Sequence, residues 1–322
     1  MHVKSAIVIV FGPVPSRRLG RSLGINNIPP KHCSYSCIYC QIGRTPKCEV
    51  ERRKFYEVNE IVKEVENVVK SCSKIDYITF VPDGEPTLDI NLGLEISEVK
   101  KFGMKVAVLT NGSLLHLEEV REDLKKADLV SVKIDSWDER SFKLVNRPHK
   151  SLSFKKVLNG IYEFSGEYRG DLITETMLIK GVNDCNFDEI SNIIQELSPK
   201  KAYIAIPIRP PAENWVKPAS EGKVLEAFEV FKDKLGEGRV ELLIGYEGAD
   251  FELGKKSIED ELLSIASVHP MRMDYVEELI RKRGRDPTLV VNNLLSKGRI
   301  EIIDYMGNRF LVKKFGYCGS SA

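Results

Sequence analysis

The sequence lacks any apolar run long enough to cross a membrane. A transmembrane helix needs about 20 consecutive apolar residues, whereas the run at Ala6–Phe11 is much shorter and ends at Gly12-Pro13. Only His2 and Lys4 precede this run as basic residues, so it does not fit the core of a signal peptide either. We interpret Ala6–Phe11 as a buried strand and expect a cytoplasmic protein with no membrane partner.

The chain also lacks a strong net charge, since its formal value is +1. A uniformly basic protein that coats nucleic acid is therefore excluded. The basic residues are nevertheless concentrated, because residues 15–54 contain nine Lys or Arg and only two Glu. This local excess could attract an anionic substrate or an acidic electron donor, or it could be solvated surface.

Seven cysteines without a secretion signal do not indicate disulfides. Three of them, Cys33, Cys37 and Cys40, have the spacing C-x3-C-x2-C. A four-iron cluster normally takes four thiolates, so three thiolates leave one iron without a protein ligand. Such an iron can bind a small molecule, and Tyr39 can cover one side of the site.

Strand and helix patterns alternate between residues 58 and 244, which is typical of a parallel sheet with helices on its faces. We count about six β/α units, fewer than the eight of a closed barrel. The sequence therefore predicts an α/β fold, a partial (β/α)6 TIM-like barrel whose open side admits a large substrate. The predicted strands are Ser22–Ile25, Tyr77–Val81, Lys105–Leu109, Leu129–Ile134, Leu172–Ile179 and Tyr203–Ile208, and the predicted helices lie near 58–69, 92–101, 117–127, 153–165, 187–196 and 222–235.

Polar or proline-bearing segments follow most of these strands. In parallel β/α folds the active site lies at this carboxyl edge of the sheet. We expect Asp135, Glu175 and Arg209 to line a cavity there, although ordinary polar packing at the barrel mouth is an alternative.

The alternation stops near Gly245. Three helical patterns and a hairpin follow, and Asp286-Pro287 gives the third helix a strong start. This order is typical of a winged helix-turn-helix, but ten basic and nine acidic groups give it no strong basic bias. Nucleic-acid contact, protein recognition and a structural lid all stay open for it. The predicted domains are a barrel at 1–245, a linker at 246–256, a winged-helix domain at 257–315 and a flexible tail at 316–322.

The cysteine spacing, after a first strand and before a helix, resembles the signature of radical S-adenosylmethionine (SAM) enzymes, and the resemblance extends over residues 12–245. It implies a [4Fe–4S] cluster on Cys33, Cys37 and Cys40, with SAM on the open iron. It also implies an electron donor such as ferredoxin or flavodoxin, cleavage of SAM to a 5′-deoxyadenosyl radical, and hydrogen abstraction from a substrate.

Later segments are similar to motifs of the same family. Asp83–Thr87 resembles its G-G-E motif, with Asp83 at the first glycine position, and Thr110–Gly112 and 181–184 resemble its T-N-G and G-x-N-D motifs. Taken alone, these are common turn sequences, and Lys133 and Asp135 could be a simple ion pair. The resemblance implies that SAM is contacted by Tyr39, Gly84, Glu85, Pro86, Thr110, Asn111, Ser131, Lys133, Asp135 and Asn183.

Residues 12–20 and 210–213 resemble a group of Fe–S oxidoreductases related to the wyosine-synthesising tRNA enzyme. That enzyme carries a second cluster on three upstream cysteines, whereas no cysteine precedes Cys33 here. We therefore do not expect wyosine synthesis. We interpret the remaining thiols as buried and structural: Cys48, Cys72, Cys185 and Cys318.

Three functions follow from these patterns. The first is a radical SAM enzyme acting on a macromolecule, with RNA such as tRNA ahead of a protein or peptide. The second is an activase that places a radical on a partner protein. The third is a non-catalytic regulator that binds nucleic acid and holds an Fe–S cluster or zinc, with Cys48 or His32 as a fourth zinc ligand.

Overall fold

The computed structural model describes residues 9–72, 74–245, 257–268 and 270–314. Its main sheet has eight strands whose spatial order β1 to β8 follows the chain. The strands are β1 (Val10–Ser16), β2 (Gly20–Ile25), β3 (Tyr77–Phe80), β4 (Lys105–Thr110), β5 (Leu129–Lys133), β6 (Asp171–Met177), β7 (Lys201–Ala205) and β8 (Val240–Leu243). The helices are α1 (Val58–Val69), α2 (Leu92–Lys100), α3 (Glu118–Leu124), α4 (Glu139–Val145), α5 (Phe154–Glu167), α6 (Phe187–Leu197) and α7 (Glu221–Leu235).

Strands β2 to β8 are parallel, and β1 pairs antiparallel with β2. Each strand from β2 to β7 is followed by a helix before the next strand, which gives six β/α units. The sheet is curled and open, with β1 and β8 at its two edges. The predicted α/β partial barrel is confirmed, and β8 is a seventh parallel strand that the sequence analysis missed.

Strand residues alternate between two environments, as the pleat requires. Val130 and Val132 of β5 belong to the large core between the sheet and its helices. Leu129 belongs to a smaller cluster with Ile173 and Ala107 from neighbouring strands. Every second side chain of a strand therefore faces the helices, and the side chains between them form the inner face of the half-barrel.

Strand β1 differs from the prediction. It begins at Val10 and continues through Gly12-Pro13 to Ser16, while residues 6–8 lie outside the described residues. The register shifts between Phe11 and Val14. Proline lacks an N–H donor, which an edge strand with a bulge tolerates. The Gly-Pro pair therefore interrupts the pairing of this strand without ending it.

Side-chain caps fix several helix starts. Ser153 and Ser220 cap α5 and α7 by accepting backbone N–H groups of the first turn. Helix α4 was not predicted, because it is short and shares the connection between β5 and β6 with the longer α5. Asp138 and Ser141 form a capping box at its start.

The last part of the described chain, residues 257–314, is called the C-terminal module below. Its helices are α8 (Ile258–Val268), α9 (Met273–Lys282) and α10 (Pro287–Ser296), and its strands β9 (Met271–Arg272), β10 (Ile300–Tyr305) and β11 (Asn308–Lys313) form an antiparallel sheet in the order β10-β11-β9. A separate core fills it, with Leu262, Val276 and Leu311 fully buried. The three helices and the hairpin are as predicted, whereas β9 was missed. The predicted linker at 246–256 and the tail at 316–322 lie outside the described residues.

None of the helices in the described part of the chain combines the length and the apolar character that a bilayer crossing requires.

Candidate functional site

The three cysteines lie on the loop between β2 and α1, at the carboxyl edge of the sheet. The loop pairs with residues 145–149, at the carboxyl end of α4 and directly after it. Three backbone hydrogen bonds of 2.8–3.1 Å join them: Ser36 N–H donates to the Asn146 carbonyl, Ile38 N–H to the Val145 carbonyl, and His149 N–H to the Ser34 carbonyl. The cysteine loop is therefore held by backbone contacts with a segment more than 100 residues away.

Two side-chain amides donate to the sulfurs of this loop. Asn111 Nδ2 lies 3.6 Å from Cys33 Sγ, and Asn146 Nδ2 lies 3.6 Å from Cys37 Sγ. Amide donors of this kind stabilise negative charge on sulfur and tune Fe–S clusters. The loop thus offers three free, half-buried thiols, two of which have an amide donor within reach.

Burial raises the pKa of Cys33 well above its usual value and the pKa of Cys37 to about 12, with Glu85 and Asp135 adding to the effect at Cys33 and Cys37 respectively. Both are protonated thiols at neutral pH, and a bound metal would displace the protons. Among the described residues no three His, Cys, Asp or Glu side chains are arranged for a single metal ion. Thiolates of a four-iron cluster bind different irons, so this finding does not count against a cluster.

Glu85 connects the loops after β3 and β4. Its carboxylate accepts from Thr110 Oγ1 at 2.5 Å, from Asn111 N–H at 2.8 Å, and from both the N–H and the hydroxyl of Thr87. The group is almost fully buried, and burial raises its pKa. Because these donors occupy the carboxylate, we expect Glu85 to position the loops.

Gly84 lies against the cysteine loop. A Cβ atom at this position would be 1.9 Å from the His32 carbonyl oxygen. The next residue, Glu85, donates its N–H to the same oxygen at 2.9 Å. Only glycine permits this approach, and the short Pro86–Leu88 helical turn follows directly. The loop that carries Asp83–Thr87, called the motif loop below, is thereby held against His32, the residue before Cys33.

Asp135 joins three parts of the site. It accepts from the Tyr39 hydroxyl, from Asn146 Nδ2 at 3.0 Å and from Met177 N–H at 2.9 Å. Asn183 uses its amide donors on the carbonyls of Asp135 and Met177. These side chains hold the loops together, and their direct contact with SAM stays a prediction.

The inner face of the half-barrel becomes polar toward the carboxyl edge. Ser131 and Lys133 follow Leu129 on the same face of β5, and Lys133 Nζ pairs with Glu175 at 2.6 Å. Arg18 forms a second ion pair with Glu175. Burial lowers the pKa of Lys133. Lys133 thus forms its ion pair with Glu175, and Asp135 also interacts electrostatically with the same ammonium group.

Arg209, the third predicted cavity residue, follows β7 and donates to Gln41 Oε1 at 3.5 Å. It lies beside the segment after Cys40, because Gln41 is the next residue. Of the three predicted residues, Arg209 and Asp135 therefore contact the cysteine loop, through Gln41 and Tyr39, whereas Glu175 lies on the inner face of β6.

Two contributions were missed by the sequence analysis. Asn146, described above, lies after an unpredicted helix. Glu213 is buried and accepts from Arg44 at 2.6 Å and from Arg147. Its hydrogen bond to Arg44 is the main reason that its pKa is lowered. In the sequence, Glu213 stood out only as part of the Pro-Pro-Ala-Glu resemblance, which did not indicate that it binds Arg44 and Arg147.

The remaining thiols correct a prediction. Cys185 is exposed, and Cys48 and Cys72 are half-buried, so none of the three is fully buried; Cys318 lies outside the described residues. Cys48 donates to the Arg147 carbonyl at 3.8 Å. His32 contacts Glu49 at 3.2 Å. Both candidate fourth zinc ligands thus have other partners.

Comparison with known proteins gives concordant matches. The model of the radical SAM superfamily matches residues 27–194. A UPF0026 protein of Methanocaldococcus jannaschii is 42% identical over 311 residues, covering 95% of this chain and 96% of that protein. A UPF0026 protein of Helicobacter pylori is 34% identical over 277 residues, covering 83% and 86%. A structure of TYW1 with a lysine–pyruvate adduct has a TM-score of 0.51 at 17% identity, over 66% of this chain and 73% of that one, which is a likeness of fold alone.

Proposed function

Because this chain belongs to the radical SAM superfamily, whose members are enzymes that use a [4Fe–4S] cluster and SAM, we propose that Cys33, Cys37 and Cys40 hold such a cluster. The observation that carries the proposal is the arrangement of three free thiols on one loop, with amide donors at Cys33 and Cys37. Three protein ligands leave one iron for SAM.

The loops around the cysteines supply the SAM site in this proposal. Gly84, Glu85 and Pro86 form its first wall, with Thr110 and Asn111 next to them. Ser131 and Lys133 from β5 complete the inner face, and Tyr39, Asp135 and Asn183 close the opposite side. The close approach of Gly84 to His32 and the hydrogen bonds of Glu85 support this arrangement, because they hold these loops against the cysteine loop.

When bound, the cluster would supply one electron for the cleavage of SAM to a 5′-deoxyadenosyl radical. That radical would remove a hydrogen atom from a substrate. The chain's own residues orient the cofactors and exclude water. Asn111 and Asn146 stabilise negative charge on the thiolates. The ion pair between Lys133 and Glu175 fixes the position of two charged groups on the inner face. An electron donor such as ferredoxin or flavodoxin is a partner in this proposal.

The proposed substrate is a macromolecule, with RNA ahead of protein or peptide. The open sheet edge and the basic segment 15–54 support a large anionic partner. We also propose that residues 1–245 are the catalytic domain and 257–315 a winged-helix domain; the expected linker at 246–256 and tail at 316–322 lie outside the described residues. The order of helices and hairpin in the C-terminal module supports the winged helix. A cytoplasmic location stays a prediction.

The test is SAM cleavage by anaerobically reconstituted, dithionite-reduced protein. We expect 5′-deoxyadenosine from the wild type and from the matched control Cys185→Ala, whose thiol is exposed and outside the loop. Cys37→Ala should give none. Equal product from Cys37→Ala and the wild type would exclude the cysteine assignment, and no product with an intact cluster, with or without tRNA, would favour the regulator.

A further inference from the structure

A cleft of about 450 Å³ lies between the half-barrel and the C-terminal module. Three segments form most of it: residues 41–44 directly after Cys40, residues 210–212 after β7, and the β10–β11 hairpin with Lys314. Lys31 and Ala266 complete the lining. A volume of this size accommodates a small ligand or one unit of a larger one. The cleft is therefore adjacent to the cysteine loop but is not part of the SAM site proposed above.

The hairpin is held over the sheet edge by specific contacts. The Tyr305 hydroxyl donates to the Pro207 carbonyl at 2.8 Å, and this bond is buried. On the other side, Ser267, whose hydroxyl donates to the Ser264 carbonyl at 2.7 Å, lies near enough to the buried Asp83 carboxylate to act against the rise of its pKa. Val14 of β1 packs against the core of the module. The cleft is consequently bounded by parts that are fixed to each other.

The lining of the cleft is basic. Four cationic side chains and one anionic side chain line it: Lys31, Arg44, Lys313, Lys314 and Glu301. Glu301 is 3.8 Å from Lys314, which is a long ion pair. Positive charge that converges on a concave surface concentrates anions there.

Nearby acids do not cancel this charge. The Asp83 carboxylate, from the adjacent loop, interacts electrostatically with both Lys31 and Lys313. Arg44 pairs with Glu213, which also accepts from Arg147. Each of these acids serves two cations, so the surroundings keep an excess of positive charge that an anionic ligand would neutralise.

Apart from Gln41, the remaining side chains of the lining are apolar. Ile42, Pro211, Ala212, Ile303 and Val312 supply carbon surface beside the charged groups. A site with one basic end and apolar walls matches a nucleotide, which has an anionic phosphate and a flat base. A peptide with acidic side chains also matches the charge, whereas a nucleotide combines the anionic group and the flat base in one unit, so the test below compares the two.

We infer that this cleft binds one phosphate-bearing nucleotide unit of the substrate, either a free nucleotide or one residue of an RNA strand. Lys313, Lys314 and Arg44 contact the phosphate, and the base lies against Pro211 and Ile303. This inference rests on the proposed function, because it assigns a place to the substrate of that reaction. It makes the C-terminal module part of the substrate site.

The test measures binding without turnover. Anaerobically reconstituted full-length protein is titrated with fluorescent ATP, fluorescent GTP and labelled unfractionated tRNA, and anisotropy is followed at several salt concentrations. Lys314→Gln removes one cation. Ile303→Trp fills the cleft without changing charge. The matched control Lys282→Gln/Lys297→Gln removes two cations from the same module outside the cleft.

We expect each cleft variant to weaken binding by about tenfold or more, equivalent to about 1.4 kcal/mol. For Lys314→Gln, the plot of log binding constant against log salt concentration should become less steep by about 0.7–0.9, the value for one lost phosphate contact. The control should bind nearly as the wild type does. Binding of nucleotide alone identifies a free nucleotide as the source, and binding of tRNA alone identifies RNA.

The inference is overturned if none of the three probes binds, if an acidic peptide competes as well as tRNA, or if the control loses as much affinity as the cleft variants. Circular dichroism and melting curves verify that each variant is folded, and Ile303→Trp tests the cleft independently of charge. If SAM is cleaved but no nucleotide binds, only this inference fails. If nucleotide binds at the cleft but SAM is never cleaved, the proposed function fails instead.

Discussion

Gly84 lies where two loops of the site come closest. The motif loop and the cysteine loop touch through its Cα, and an added methyl group would overlap the His32 carbonyl oxygen at 1.9 Å. That oxygen is backbone and is also the acceptor of the Glu85 N–H, so it cannot move without losing a hydrogen bond. The proposed cluster and SAM loops are thus coupled at one residue.

For Gly84→Ala we expect the free energy of unfolding to fall by about 1–3 kcal/mol, the usual cost of overpacking. Iron bound per chain after reconstitution should also fall, since the loop carrying the cysteines is displaced. Urea unfolding and iron analysis measure the two effects.

Gly166→Ala is the control for this change. Its added Cβ has no neighbour within 4 Å, and Ala is favoured over Gly in a helix by roughly 0.5–1 kcal/mol. If Gly84→Ala keeps the stability and the iron content of the wild type, the close contact between the motif loop and the cysteine loop is not required for either.

At the scale of elements, helix α2 packs beneath the motif loop through a buried polar group. Asn27 Nδ2 donates to the Pro86 carbonyl and to Glu95 Oε2, both at 3.2 Å. One oxygen each of Asn27, Asp89 and Glu95 has no hydrogen-bond partner. Burial, reinforced by Asp89, raises the pKa of Glu95 from 4.5 to about 9. The side chain is therefore a neutral acid at neutral pH.

The sign of the resulting pH dependence follows from linkage. The folded state holds the Glu95 proton more tightly than the unfolded chain, so this stabilisation is complete below pH 4.5 and is lost as pH rises through about 9. Glu95→Gln keeps the shape and needs no proton. We expect its advantage in the free energy of unfolding to grow between about pH 6 and about pH 8, by at most about 1.4 kcal/mol per pH unit.

Urea unfolding at the two pH values measures this difference. Glu98→Gln, on the half-exposed side of the same helix, should leave the wild-type pH slope unchanged. An equal slope for Glu95→Gln and the wild type would mean that Glu95 is ionised in the folded protein.

At the scale of the whole molecule, a buried hydrogen bond joins the C-terminal module to the half-barrel. Tyr305, at the end of β10, donates to the Pro207 carbonyl after β7. Ser267 of α8 lies near Asp83 after β3, so the module meets the carboxyl edge both at β3 and at β7. The position of the hairpin over the cleft depends on both meeting points.

Tyr305→Phe should lower the free energy of unfolding by about 1–3 kcal/mol, because a buried carbonyl is left without its donor. The control is Tyr275→Phe, on α9 of the same module, for which we expect a change within about 0.5 kcal/mol. Urea unfolding compares the two. A smaller effect of Tyr305→Phe than of the control would mean that water replaces the hydroxyl and that the contact does not hold the hairpin.

The sequence by itself determined the elements and the chemistry that depend on nearby residues. The period-two and helical patterns gave six of the parallel strands, and Asp286-Pro287 gave the start of α10, because capping and periodicity act over a few residues. The same holds for the three cysteines, whose spacing on one short loop predicted the superfamily. The short β8 and the two-residue β9 gave too few residues for a pattern.

Only the tertiary structure decided which distant segments meet at the site. Asn146 reaches Cys37, and Glu213 holds Arg44 and Arg147, across separations of 66 to 169 residues. It also assigned Glu85, Asp135 and Asn183 to hydrogen bonds between loops, which a motif does not reveal. The cleft beside the cysteines exists because the hairpin docks on the sheet edge. Such contacts depend on the packing of whole elements, and no local pattern encodes their partners.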